Sequence, residues 1–163
     1  DLLYAPLSAT EVTISISLAA ATRSFMIAIV SIITFYIIID IQIKHFFLLF
    51  LFTFFTSFIL GNIGIISGLW AEKFDHQATI TNFVIVPLSF LSGTFYSIER
   101  LPDFLKKISE VNPFFYMIDG FRFCFIGQSD GSIKVGIIYL LILSILSWLA
   151  AYILFKRGYK IKT

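Results

Sequence analysis

Few side chains in this sequence could do chemistry, and their spacing narrows what chemistry that could be. Asp119 and Arg122 stand three residues apart inside an aromatic run, the spacing at which opposite charges pair on one helical face. His45, His76 and Cys124 are the side chains with metal-ligating or nucleophilic potential. An uncharged run from Phe46 to Ala71 separates the two histidines. If that run crosses a membrane they lie at opposite faces and share no metal with Cys124, so no metal site is expected. The single cysteine excludes an internal disulfide. No apolar run carries paired acids for intramembrane catalysis, and no G-x-x-x-x-G-K-[ST] loop is present to hold ATP. The chain is therefore expected to have no catalytic residues and no cofactor of its own. Ion-coupled transport usually needs an intramembrane Asp, Glu or His, and none lies clearly inside a span. That favours an external ATPase as the energy source.

The elements that position these residues are apolar helices. Hydrophobic residues make up 58% of the 163 and charged residues 13%, against about 25% charged in soluble domains. The mean hydropathy is +0.93. A soluble core could not hide this much Phe, Ile and Leu, so the chain reads as an integral membrane protein. A net charge of +2 gives no reason to expect a nucleic-acid partner. Spans are predicted at residues 18–39, 46–70, 77–97 and 135–155, each long enough to cross about 30 Å of hydrocarbon. Helices are the default because lipid satisfies no backbone group. The fold class expected is all-α, a polytopic bundle of four spans.

Four spans put both ends of the segment on one side. Lys156, Arg157, Lys160 and Lys162 follow the last span directly, and the positive-inside rule makes that side cytoplasmic. Arg100, Lys106, Lys107, Arg122 and Lys134 then face outward and oppose the assignment. The start, Asp1 to Glu11, has neither a signal peptide's composition nor an initiator Met, as expected of a piece of a longer protein. Leu2, Leu3, Tyr4 and Leu7 are interrupted by Pro6, Ser8 and Glu11, which fits either a short surface helix or a frayed end.

Between the third and fourth spans the chain stays apolar without being long enough to cross. Leu101, Phe104, Leu105, Ile108 and Val111 recur at helical spacing opposite Asp103, Lys106, Lys107 and Glu110. Pro102 suits a first turn, and Asn112-Pro113 stops the helix. The segment from Phe114 to Phe125 is apolar almost all round and holds six aromatics. Residues 101–125 are expected to form a re-entrant hairpin near the outer surface, or two helices lying flat on it. Pro87 predicts a kink in the third span. Ser57, Gly61, Gly64 and Gly68 form a small-residue stripe expected to pack helix on helix, with Asn62 able to bond across. Arg23 either snorkels to the inner surface, if its span begins near Leu18, or lines a polar path.

The strings Pro87-Leu-Ser-Phe-Leu-Ser-Gly93, Leu101-Pro102, Asn112-Pro113-Phe-Phe-Tyr-Met-Ile-Asp119-Gly120-Phe121-Arg122 and Gly158-Tyr159-Lys160 resemble the permease subunits of type-2 ABC exporters. The nodulation-factor and daunorubicin-resistance branch is the most similar. Such permeases have six spans, so the resemblance implies spans three to six here. It implies a dimer, homo- or heteromeric, that binds cytoplasmic ATP-hydrolysing subunits carrying the ATP and Mg. It implies a bacterial inner-membrane location and export of an amphiphilic drug, lipid, glycolipid or polysaccharide through surrounding lipid. A coupling segment would fall on residues 1–11, with Leu3, Tyr4, Pro6, Leu7 and Glu11 meeting the ATPase. Gly93, Pro102, Asn112, Pro113, Asp119 and Arg122 would belong to the exit gate. The alternatives are a transporter or channel without an ATPase, and an intramembrane transferase.

Overall fold

The computed structural model describes residues 8–39, 42–71, 73–94 and 102–157. Leu3, Tyr4, Pro6 and Leu7 lie outside them. Every described element is helical. α1 runs Ala9–Ile39 and α2 Phe46–Trp70. α3, Phe74–Ile80, passes through a π-helical turn at Thr81–Ile85 into α4, Val86–Phe90. α5 is Asp103–Val111, α6 Pro113–Ile126 and α7 Ile133–Lys156. Three helices are long and apolar enough to cross a membrane: α1, α2 and α7.

α2 is the central helix, packing against α1, α6 and α7, and α1 also meets α7. Leu49, Phe52 and Ile59 from α2 meet Phe114, Met117 and Cys124 from α6 and Leu140 from α7. Most large side chains of α1 remain exposed, among them Met26, Val30 and Ile37. That pattern suits a helix surrounded by lipid or further protein.

α1 begins earlier than expected. Ser8 and Glu11 form a capping box: the Ser8 N–H donates to Glu11 Oε2 at 2.7 Å, and the Glu11 N–H donates to Ser8 Oγ at 3.3 Å. Residues 9–11 are thereby continuous with the first long helix and form no separate surface helix.

The third apolar segment departs most from its expected extent of 77–97. Its helix is interrupted at Thr81–Ile85 and ends at Phe90, followed by a turn with Gly93 at φ +76°. Pro87 has no N–H, and its ring crowds the carbonyl four residues back. The widened π turn accommodates both effects, with the Val86 N–H reaching Thr81 O.

Candidate functional site

The residues expected at an exit gate converge where α4 ends and α5, α6 and the α6–α7 loop meet it. A helix end leaves four carbonyls without intrahelical donors, and among apolar side chains each needs another partner. Asn112 Nδ2 donates to Leu88 O at 2.7 Å and to Ser92 Oγ at 2.9 Å. Ser109 Oγ donates to Leu91 O at 2.8 Å. The Arg122 guanidinium donates to Gly93 O. Asn112 also serves α6, because its Oδ1 accepts the Phe114 N–H at 3.1 Å while Pro113 occupies the first turn. It is 4% exposed, so these bonds face little competition from water. Pro102 stands at the start of α5, where its carbonyl accepts from the Lys106 N–H.

The other breaks in this region are closed in the same way. Tyr116 and Tyr139, with rings 4.7 Å apart, donate to the carbonyls of Glu110 and Val111 at the end of α5. At the end of α6, the Lys44 and His45 amides both donate to Cys124 O, and Lys44 Nζ donates to Ile126 O. A cation at a helix C-terminus also complements its dipole. Gly127, at φ +77°, completes that cap in the left-handed region. Lys44 and His45 thus lie at the same end of the molecule as the α6–α7 connection.

Asp119 and Arg122 do not pair with each other. Arg122 forms its ion pair with Asp130 at 2.8 Å. Asp119 is 2% exposed, and its carboxylate accepts from Ser129 Oγ at 2.6 Å, from the Asp130 N–H at 2.8 Å and from the Gly131 N–H at 3.1 Å. Spacing allowed an i, i+3 pair, but the folded-back loop supplies Asp119 with three donors and Arg122 with a nearer acid. The buried carboxylate shapes the loop, and Arg122 ties that loop to the turn after α4. Gly93, Arg122 and Asp119 are thus joined through Asp130, while Asn112 bonds separately to Leu88 and Ser92 beside the same turn.

The small-residue stripe divides. An added Cβ at Gly61 would stand 2.9 Å from Ala20 Cβ, and Ser17 Oγ donates to Asn62 Oδ1 at 2.9 Å. This is where α1 and α2 approach closely. At Gly64 and Gly68 an added Cβ meets nothing within 4 Å, so their expected packing role is not met among the described residues. Sequence reasoning missed Gly120, where a Cβ would fall 2.3 Å from the Phe52 ring. An Asp-Gly pair inside an aromatic helix was the available signal, since glycine there lets another element approach. Glu11, expected to meet an ATPase, makes a local capping bond with Ser8.

Residues 1–126 match the profile of the family described as ABC-2 type transporter. The chain belongs to that family. It is 34% identical over 103 residues to "Inner membrane transport permease YadH" of Escherichia coli (strain K12), covering 63% of this chain and 40% of that protein. It is 24% identical over 102 residues to "Nodulation protein J" of Sinorhizobium fredii, and 26% identical over 102 residues to that of Rhizobium leguminosarum bv. viciae. Each of these covers 63% of the chain and 39% of the relative. The matched stretch thus spans about two fifths of these relatives. No solved structure matches the chain at a significant level. Family membership and three long apolar helices make this a multi-pass membrane protein.

Proposed function

We propose that this chain is the translocating part of an inner-membrane permease subunit in an ATP-driven exporter, and that α4 to α6 form a re-entrant seal at its outer exit. The observation that carries the seal is the capping of successive helix ends by side chains: Asn112, Ser109 and Arg122 on α4, Tyr116 and Tyr139 on α5, Lys44 on α6. Non-helical backbone at membrane depth is tolerated only where protein satisfies its polar groups. A surface helix pair would leave such groups to water. Family membership and the permease relative support the transport role.

In this reading α3, the π turn and α4 form the third of the four spans, and both ends of the segment are cytoplasmic. A separate ATPase subunit binds ATP and Mg, and its closure is passed to the bundle through residues 1–11. Two permease subunits rock against each other, and an amphiphilic substrate leaves past the two seals. The test is co-purification of the full-length protein with its ATPase and reconstitution of the pair. Substituting Leu3, Tyr4, Pro6 or Leu7 is expected to lower ATP hydrolysis by the complex without lowering protein yield. Unchanged hydrolysis in all four variants would remove the coupling role, and failure of any ATPase to co-purify would remove the permease reading.

A further inference from the structure

A second polar feature lies away from the seal, in a cavity of about 560 Å³ between α1, α2 and α6. Arg23 and Ser24 of α1, Thr53, Thr56 and Ser57 of α2, and Phe121 of α6 line it. Arg23 is exposed and forms no ion pair among the described residues. Its depth follows from the helices. It stands fourteen residues past Ala9 and sixteen short of Ile39, about 21 Å and 24 Å at 1.5 Å per residue. Ser17 bonds to Asn62, and Phe25 stacks on Phe50 at 4.7 Å. Between those ties Arg23 lies level with the stretch of α2 from Thr53 to Ser57. α2 is uncharged over its 25 residues, about 37 Å. Any window of about 30 Å along it that sits in hydrocarbon contains that stretch. The Arg23 backbone thus lies level with the hydrocarbon-spanning part of α2, and its side chain lines the cleft.

The cavity offers donors to an anion. Thr53 and Ser57 donate to the Leu49 and Thr53 carbonyls, whereas Thr56 Oγ1 is buried and has no partner among the described residues. The guanidinium and the Thr56 hydroxyl, with the Ser24 hydroxyl beside them, are the groups with protons to give. An adjoining cavity of about 510 Å³ shares Ala28 and Phe121 and continues between Ile32, Phe35, Ile118 and Phe125. Volumes of this size with mostly apolar walls and a few polar groups suit a small-molecule ligand.

We propose that this cleft binds an anionic amphiphile, its head group on Arg23 and Thr56 and its apolar part along Ile32, Phe35 and Phe125. The proposal names a substrate class and so rests on the permease reading. The full-length protein, reconstituted in phosphatidylcholine nanodiscs, is exposed to photoactivatable phosphatidylglycerol or phosphatidylcholine, and crosslinks are mapped by mass spectrometry. Phosphatidylglycerol is expected to label α1 and α2 peptides several-fold more strongly. Arg23→Gln should lower that labelling about tenfold, the worth of one charge-assisted bond, and Arg23→Lys should retain most of it. Short-chain phosphatidylglycerol should compete and inorganic phosphate should not. Equal labelling by the two lipids, unchanged labelling in Arg23→Gln, or competition by phosphate alone would overturn the assignment. Loss of selective labelling with ATPase coupling intact defeats this inference alone. Selective labelling without any ATPase partner defeats only the permease reading.

Discussion

The long helices and the broken ones are held by different forces. α1, α2 and α7 satisfy their backbones internally and meet mainly through apolar and small side chains, as at Gly61 against Ala20 and Phe52 against the α6 and α7 core, with Ser17 to Asn62 a polar tie between α1 and α2. α4, α5 and α6 are short, and their ends meet through side-chain bonds to carbonyls and a carboxylate that holds a loop. Packing is tolerant and spread over many contacts. The polar joints are few, and each leaves a buried group unsatisfied when cut. Substitutions in the two regions should therefore differ in how sharply they act.

The largest effect is expected at the contact where the regions join. Gly120→Leu drives a side chain into the Phe52 ring and should cost about 3 kcal/mol or more, at the upper end of overpacking, read as a lowered unfolding temperature of the full-length protein in detergent. Asp119→Ala comes next. It strands the Asp130 and Gly131 amides, at about 1–3 kcal/mol for each group that water does not reach, while the Ser129 hydroxyl keeps the Gly131 carbonyl, and Asp119→Asn should recover part of the loss. Asn112→Leu keeps the volume but removes the α6 cap and the bonds to Leu88 and Ser92. A loss of about 2 kcal/mol is expected in the same assay.

Smaller effects sharpen the contrast. A double-mutant cycle on Arg122 and Asp130 should give a coupling of about 0.5–1 kcal/mol, as for partly exposed pairs. Arg122→Ala should exceed Asp130→Ala because it also releases the Gly93 carbonyl. A cycle on Arg122 and Asp119 should give a smaller direct coupling. Within the long helices, Gly61→Ala should destabilise by crowding Ala20. Gly64→Ala meets open space and should be neutral or stabilising by up to about 1 kcal/mol through helix propensity.

The same contrast explains what the sequence made legible. Uninterrupted apolar runs mark α1, α2 and α7, because hydropathy and length are sufficient for helices that stand alone. Pro102 and Asn112-Pro113 mark the bounds of α5 and α6, because backbone restriction is local. The end of α4 at Phe90 was hidden because Leu91, Ser92 and Gly93 continue an apolar average while forming a turn. The partners of Asp119 and Arg122 come from residues 129–131 and from Gly93, and pair spacing along one helix does not reach that far. The Ser8–Glu11 capping box is readable from its four-residue pattern, Ser-x-x-Glu. The depth of Arg23 required the register of α1 on α2, which only Ser17–Asn62 and Phe25–Phe50 supply.

The central claim is that the capped, broken helices sit inside the membrane as a seal. Spin labels at Phe104, Ile108 and Val111, which lie on the apolar side of α5 and are open to the surroundings, report it most directly through their depth in nanodiscs holding the full-length protein. The account predicts higher accessibility to oxygen than to a water-soluble nickel chelate, with depths below the lipid phosphates at all three positions. Labels at the phosphate level or in water, with the chelate reaching all three, would contradict it.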